Sequence, residues 1–452
     1  MASVVAEARR SVGDVVPLVE FRLAGLRGHN RPRALAGLAL VLLLTLVFAV
    51  VPAFVEGAEV SERVGEIILL LPTVFLAFLL TTAFALIGAA GGRELLPREQ
   101  AAAFPVSPTT DHLGALLLAP LNIAWLMQAW SLLAVVAYVN GSNGLATVQL
   151  TVLSWLLMAT ALAQVLAWTV EWVRRGPHGA ALVRLGGLAL LLVVVGLVTS
   201  DSLTKALDQS PTVEVVIVAF NGRDGGSWDR WLWGTTIILA IGLLAIVVGA
   251  GLCHAVAGRQ ARDEARAEGR TVQPRVMPRT EFGGLVRTDR SSVWRSVPLR
   301  RGFFILAALP GMVAAAGQLS WDMLPVMPGL VAAGGALLFG VNAWCLDGAG
   351  ALWRDSLPVK PEIVFAARVW VLVEMLLIAT VLTLLIAGVR ADGAPTSAEL
   401  TALVATVVVV SLQVVARSMT WSVRRPYATD LRSARGTPAP PLAMVGYSAY
   451  LA

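Results

Sequence analysis

The chain of 452 residues is poor in charge, with only 14% Asp, Glu, Lys and Arg. Globular domains carry about 25%, so an ordinary soluble protein is excluded. Lysine is nearly missing. Lys205 is followed by Ala and Lys360 by Pro. A P-loop needs GxxxxGK[ST], with its Lys on the phosphates, so this chain supplies no conventional Walker A site.

Cysteine is scarce too. Cys253 and Cys345 give no disulfide framework, and both are expected near cytosolic helix ends, where thiols stay reduced. The four histidines, His29, His112, His178 and His254, fall in loops or at expected helix ends, without HExxH. A zinc site needs converging ligands; these are dispersed, and interfacial positions are expected for them. No serine has a partner histidine at membrane depth for nucleophilic catalysis. The start, MASVVAEARRSVGDVVPLVEF, lacks the short apolar region and small-residue cleavage site of a signal peptide.

What is present is apolar: 57% of residues are hydrophobic. Continuous runs of about 20 apolar residues recur, the length a helix needs to cross a bilayer. A β-barrel would show short alternating segments instead. The fold class read from this pattern is all-α, a polytopic helical membrane protein. About ten spans are expected, at 34–54, 66–90, 113–138, 148–173, 181–199, 231–257, 302–319, 325–346, 363–388 and 397–419. The net charge of +6 reflects arginine-rich loops, and no nucleic acid partner is expected.

Arginine also sets the sidedness. With the N-terminus inside, the cytosolic segments hold Arg9, Arg10, Arg22, Arg27, Arg31, Arg33, Arg93, Arg98, Arg174, Arg175 and Arg184, plus the arginines of loop 258–301. Outside fall Glu56, Glu59, Glu62, the neutral NGSNG of 140–144 and the mixed loop 200–230. This arrangement obeys the positive-inside rule. A multi-pass protein of the cytoplasmic membrane is expected. Its parts are a cytosolic amphipathic segment 1–33, a six-helix half 34–257, a cytosolic basic linker with an amphipathic segment 258–301, and a second half 302–452.

One small pattern occurs twice. FPVSP begins at Phe104 and LPVKP at Leu357, 253 residues apart, and each precedes a long apolar run. The flanks match loosely: VEFRLAGLRGHNRPR (19–33) with TEFGGLVRTDRSSVWRSVPLRR (280–301), and WVRR (172–175) with SVRR (422–425). Six expected spans separate equivalent points. An even number preserves orientation, so the halves read as parallel repeats about an axis normal to the membrane. The first half holds six spans and the second four, followed by an apolar stub, LAMVGYSAYLA, too short to cross. The second half therefore reads as incomplete, or as ending in an interfacial segment.

Each connector has a helix-start chemistry. Pro108 and Pro361 suit the first helical position, where a missing N–H is harmless. Ser107 can serve as N-cap, and Glu362 complements the positive helix end. Pro105 and Pro358 stiffen the approach. Before the first connector, Leu95 and Leu96 stand on one side of a short turn containing Arg93, Glu94, Pro97, Arg98 and Glu99. Each unit reads as a rigid cytosolic knuckle fixed to a span. Taken singly, a stiff turn at the lipid headgroups explains either copy. Two copies at matched places point to force transmission from a soluble partner.

The stretches ELLPREQAAAFPVSPTTDHLGALLLAP (94–120) and LVRTDRSSVWRSVPLRRGFF (285–304), with the six-span spacing, give a layout that resembles permease subunits of ATP-binding cassette exporters, the type-2 exporter permeases. The resemblance covers most of the chain in layout, through short motifs. It implies a separate ATPase partner that carries ATP and Mg, with no cofactor in this chain and no enzymatic activity of its own. It also implies coupling through Glu94, Leu95, Leu96, Pro97, Phe104, Pro105, Val106, Ser107 and Pro108, and through Leu357, Pro358, Val359, Lys360 and Pro361. The substrate class stays open among small molecules, peptides and lipids.

Two polar residues sit at matched depth in the repeat, Asn122 in LLLAPLNIAW and Glu374 in VWVLVEMLLIAT. An intramembrane carboxylate costs about 2.5–3.5 kcal/mol or more, so Glu374 is expected protonated, paired or facing a cavity. Lining a substrate path and bonding helix to helix both remain open for this pair. Pro72, Pro120 and Pro310 either kink their spans or, as most such prolines do, simply shape packing. Leu285, Val286, Val293, Trp294 and Val297 recur at near-helical spacing among arginines. Such a helix is expected to lie on the anionic inner leaflet or to touch the ATPase. Two other function classes stand beside the exporter: an ion-coupled secondary transporter using Glu374, and a lipid-modifying membrane enzyme, for which no converging polar set is found. A non-transporting membrane scaffold is a weaker third.

Overall fold

The computed structural model describes residues 10, 13, 14, 17, 18, 30–55, 62–88, 106–200, 202–259, 278–347, 351–427, 439 and 441–451. Among them, all regular structure is helical. Of the residues expected to couple to an ATPase, Glu94, Leu95, Leu96, Pro97, Phe104 and Pro105 lie outside the described residues, as does His29. Among the described residues, seven helical stretches are long and apolar enough to cross a membrane: Leu35–Phe54, Ile67–Ile87, Leu145–Arg174, Trp228–Ala257, Pro298–Ala315, Pro361–Gly388 and Ser397–Arg424. The chain divides into two units, Met1–Glu268 and Gly269–Ala452. The second unit thus takes in the amphipathic stretch 281–295, which the sequence assigns to a linker.

The first unit contains α1 (Asn30–Val50), α2 (Glu62–Gly88), α3 (Pro108–Leu118), α4 (Ile123–Asn140), α5 (Leu145–Arg174), α6 (Gly179–Thr199), α7 (Leu203–Asp208), α8 (Thr212–Asn221) and α9 (Trp228–Ala257). α5 is its centre, packed on α2, α4, α6, α8 and α9. Phe75, Phe78, Leu132, Leu133, Val152 and Trp155 form its core.

Two expectations change here. The span expected at 113–138 is broken, because Pro120 sits in a 3-10 turn over Ala119–Leu121 and Asn122 is extended. Proline removes an N–H and its ring clashes with the preceding turn, so α3 and α4 are separate rods. The loop expected at 200–230 contains α7 and α8. Thr212, Val215, Val216 and Ala219 of α8 are buried, which gives an apolar stripe of helical period its partner surface.

Polar contacts tie up both ends of this unit. At one end Arg223 Nε donates to Asn140 Oδ1 at 2.7 Å, and the Asp224 N–H donates to Asn143 Oδ1 at 2.7 Å. The NGSNG turn is thereby fastened to the loop before α9. At the other end the C-termini of α5 and α9 meet the N-terminus of α3. Arg175 donates to the carbonyls of Val256 and Arg259 at 3.0 and 3.1 Å. Arg259 lies over the Trp172 ring at 3.8 Å, and Thr109 bonds His254 at 2.9 Å.

The second unit contains α10 (Glu281–Arg295), α11 (Val297–Ala316), α12 (Val326–Gly335), α13 (Ala351–Asp355), α14 (Pro361–Gly388), α15 (Ser397–Arg424) and α16 (Pro441–Leu451). α14 is the hub, packed on α10, α11, α12 and α15. Phe303, Val331, Leu372, Met375, Leu376 and Met419 make the core. The span expected at 325–346 does not run through. α12 passes into a π turn, Ala336–Gly340, then Asn342 turns away, then a 3-10 turn covers Ala343–Leu346. The freed backbone groups find partners on α15: Ser422 Oγ donates to the Gly340 carbonyl at 3.0 Å and accepts from the Ala343 N–H at 2.9 Å. Gly340 is required at this crossing, since a Cβ there would lie 2.2 Å from Ser418 Oγ.

Candidate functional site: the second connector and its arginine staple

The connector between α13 and α14 is a tight fold of backbone. The Ser356 and Leu357 N–H groups donate to the Leu352 and Arg354 carbonyls at 3.1 Å each, and the Val359 N–H donates to the Leu357 carbonyl at 2.8 Å. Lys360 takes the N-cap position with extended backbone, Pro361 follows at the helix start, and Glu362 lies in the first turn. Leu357, Pro358 and Lys360 are exposed. The tip of the connector is therefore presented outward while its ends are fixed.

What fixes them was not legible as a motif. Arg368, two turns into α14, is 1% exposed. Its Nε donates to Asp289 Oδ2 at 2.9 Å, and its Nη2 to Asp289 Oδ1 at 3.0 Å and Asp347 Oδ1 at 2.7 Å. Its Nη1 donates to the Ala343 carbonyl. Asp347 Oδ2 takes a bond from Arg354, which also bonds Asp355 at 2.8 Å. The Trp344 ring lies 5.2 Å from both guanidinium carbons.

One carboxylate, Asp347, thus joins the arginine before the connector to the arginine after it. The second, Asp289, brings in α10. Arg354 and Arg368 balance Asp289 and Asp347 in the inner part of the group, with Asp355 exposed at its edge, and near neutrality is what a buried ionic cluster needs. Planar guanidinium suits this, because its fork serves several oxygens at fixed angles. The readable signal was a charged residue, Arg368, inside an expected span; intramembrane ionisable residues are functional candidates by default.

Glu374, one of the two expected pathway residues, is paired. Arg290 of α10 donates to Glu374 Oε2 at 2.8 Å through Nε, and its Nη2 lies 2.8 Å from the same oxygen. The contact joins helix to helix. It also corrects the expectation for α10. Val286, Asp289 and Val293 form the buried stripe of that helix, and the helix packs on α14. The apolar face is occupied by protein and does not lie on lipid.

In the first unit, Ser107 caps α3 as expected: its Oγ accepts from the Thr110 N–H at 3.1 Å, with Pro108 following. Val106, Ser107 and Pro108 are half-buried, unlike the exposed second copy. Asn122 is half-buried at the break before α4. It belongs to the first unit and Glu374 to the second.

His112 departs from expectation. It is fully buried, with Trp168 Nε1 donating to Nδ1 at 3.1 Å and Nε2 3.0 Å from the Ile246 carbonyl. The acceptor role of Nδ1 places the proton on Nε2, a neutral tautomer. Burial pulls its pKa down to about 4. A Cβ on Gly249 would meet its ring at 2.4 Å. His112 is a packing residue that locks α3 to α5 and α9.

Both cysteines are buried, and neither is in a disulfide. No protein-family model, no curated protein and no solved structure matches this chain.

Proposed function

We propose that the chain is the membrane-spanning permease subunit of an ATP-binding cassette exporter of the cytoplasmic membrane, powered by a separate ATPase. About ten spans would form two parallel halves of six and four, with the N-terminus in the cytosol. The observation that carries this reading is the second connector, with exposed Leu357, Pro358 and Lys360 set on a base stapled by Asp347 between Arg354 and Arg368.

A push on a loose loop dissipates in loop motion. A push on this tip reaches the first turns of α14, because both flanks are held by one carboxylate. α14 has 28 residues, about 42 Å at 1.5 Å per residue, enough to carry the displacement through the bilayer. α10 moves with it through Asp289 and Arg290. Nucleotide-driven closure of the ATPase would then shift the population of inward- and outward-open bundles.

The duplication has support from packing. α1 packs on α4 and α11 on α14; α2 on α5 and α12 on α15; α4 on α5 and α14 on α15. The helices thus pair in the same order in each unit. QVLAWTVEWVRR (164–175) and QVVARSMTWSVRR (413–425) end α5 and α15 with similar side chains.

The reading is tested by purifying the intact chain from its native membranes. An ATPase with Walker A and signature motifs should accompany it, and Lys360→Cys should cross-link to that partner while Ser397→Cys does not. Transport that follows a proton gradient and ignores an ATPase-dead partner would overturn the reading in favour of ion coupling through Glu374.

A further inference from the structure

We propose that the junction between α10 and α11 is a binding site for the phosphate of an anionic phospholipid headgroup. α11 includes the candidate span Pro298–Ala315, so its N-terminus marks the headgroup level of this unit. That helix begins without help. Its first turn has no acidic residue, its N-cap Ser296 makes no capping bond, and Pro298 removes one N–H. Ser296 is 8% exposed, and its buried Oγ has no hydrogen-bond partner among the described residues. A buried hydroxyl without a partner costs about 1–3 kcal/mol, and a phosphate oxygen would satisfy it. A helix N-terminus also favours negative charge.

Around this point stand cations that the fold has not neutralised. Arg295 and Arg300 are exposed, and no carboxylate pairs with either among the described residues. Arg300 turns one Nη1 to the Trp294 carbonyl at 3.2 Å, which holds the side chain over the junction. Asp289, the acidic residue nearest in sequence, is engaged by Arg368, and Glu374 of α14 is engaged by Arg290.

The aromatic content matches the same depth. Trp294 is 37% and Phe304 55% exposed, and their rings meet at 6.0 Å. Tryptophan prefers the bilayer interface. A basic and aromatic surface at that level complements an anionic lipid, whose attraction to juxtamembrane arginines is a general effect. The inner face of α10 is occupied by α14, which leaves this corner facing outward. The inference does not depend on the exporter reading.

The test uses the whole chain in zwitterionic phosphatidylcholine micelles, titrated with short-chain phosphatidylglycerol, with thermal unfolding and retained lipid as readouts. Phosphatidylglycerol should raise the melting temperature in a saturable way and remain bound after dilution. The double variant R295A/R300A should bind it roughly 30-fold more weakly, while R295K/R300K keeps most of the effect. If the alanine pair gives no monodisperse protein, R295Q alone is read, with a loss of several fold. Equal binding of phosphatidylcholine, or alanine variants that bind like the parent, would overturn the proposal. So would inorganic phosphate that reproduces the shift at equal concentration, since it would mark a free-anion site.

Discussion

Arg368 is the side chain on which the second unit most depends. Replacing it by Ala leaves Asp289 and Asp347 buried without their shared cation. Removing one partner of a buried ion pair destabilises by about 3–5 kcal/mol, so R368A should sharply lower the folded yield in a detergent melt. At Asp347 the expected effect divides. D347N keeps the shape but weakens the bridge between Arg354 and Arg368; under the proposed exporter function it should uncouple transport with a smaller loss of stability. His112 gives a pH signature. Its folded pKa of about 4 lies below the ordinary 6.5, so the unfolded chain binds the proton more readily. Its contribution is fully present above pH 6.5 and is lost as pH falls from there towards 4, by roughly 3 kcal/mol in all. Asp111 beside it opposes this shift weakly. H112Q should flatten that part of a stability-against-pH curve. Cys345 is buried, so it should resist maleimide at pH 8 until the protein is unfolded.

Among the elements, the connectors were the most legible part. Ser107 as N-cap and Pro108 and Pro361 at helix starts follow from local chemistry, which needs only neighbouring residues. S107A should cost about 1 kcal/mol through the lost Thr110 bond. The amphipathic stripe of α10 was legible as a stripe, but its partner was not. Val286 and Val293 suit a lipid surface as well as a helix, and periodicity does not name what covers a face. The breaks at Pro120 and at Gly340 show the same divide. Proline announces the first in sequence. The second is a π turn maintained by Ser418, Ser422 and Gly340, residues about 80 positions apart. G340A would drive a methyl into Ser418, and a loss of about 1–3 kcal/mol is expected from such overpacking, measured as a lowered melting temperature.

At the scale of the whole molecule, the seven long apolar helices make a membrane protein the reading of both sequence and structure. The proposed parallel duplication makes a prediction about sidedness. Single-cysteine variants at Ser107 and Lys360 should react with an impermeant maleimide from the same face of oriented vesicles, and one at Ser142 from the other. Labelling of Ser107 and Lys360 from opposite faces would remove the parallel repeat and the two-connector mechanism with it.

The sequence by itself determined the helical membrane class, the arginine-rich loops and the two proline-framed helix starts, because run length, charge placement and capping are local properties. Only the tertiary structure decided that Arg368 is buried among Asp289, Asp347 and the Ala343 carbonyl, that Glu374 answers Arg290, and that His112 lies inside. The physical reason is that a charge in an apolar run is tolerable only with a partner, and that partner stands on another helix, tens of residues away, where spacing along the chain carries no record of it.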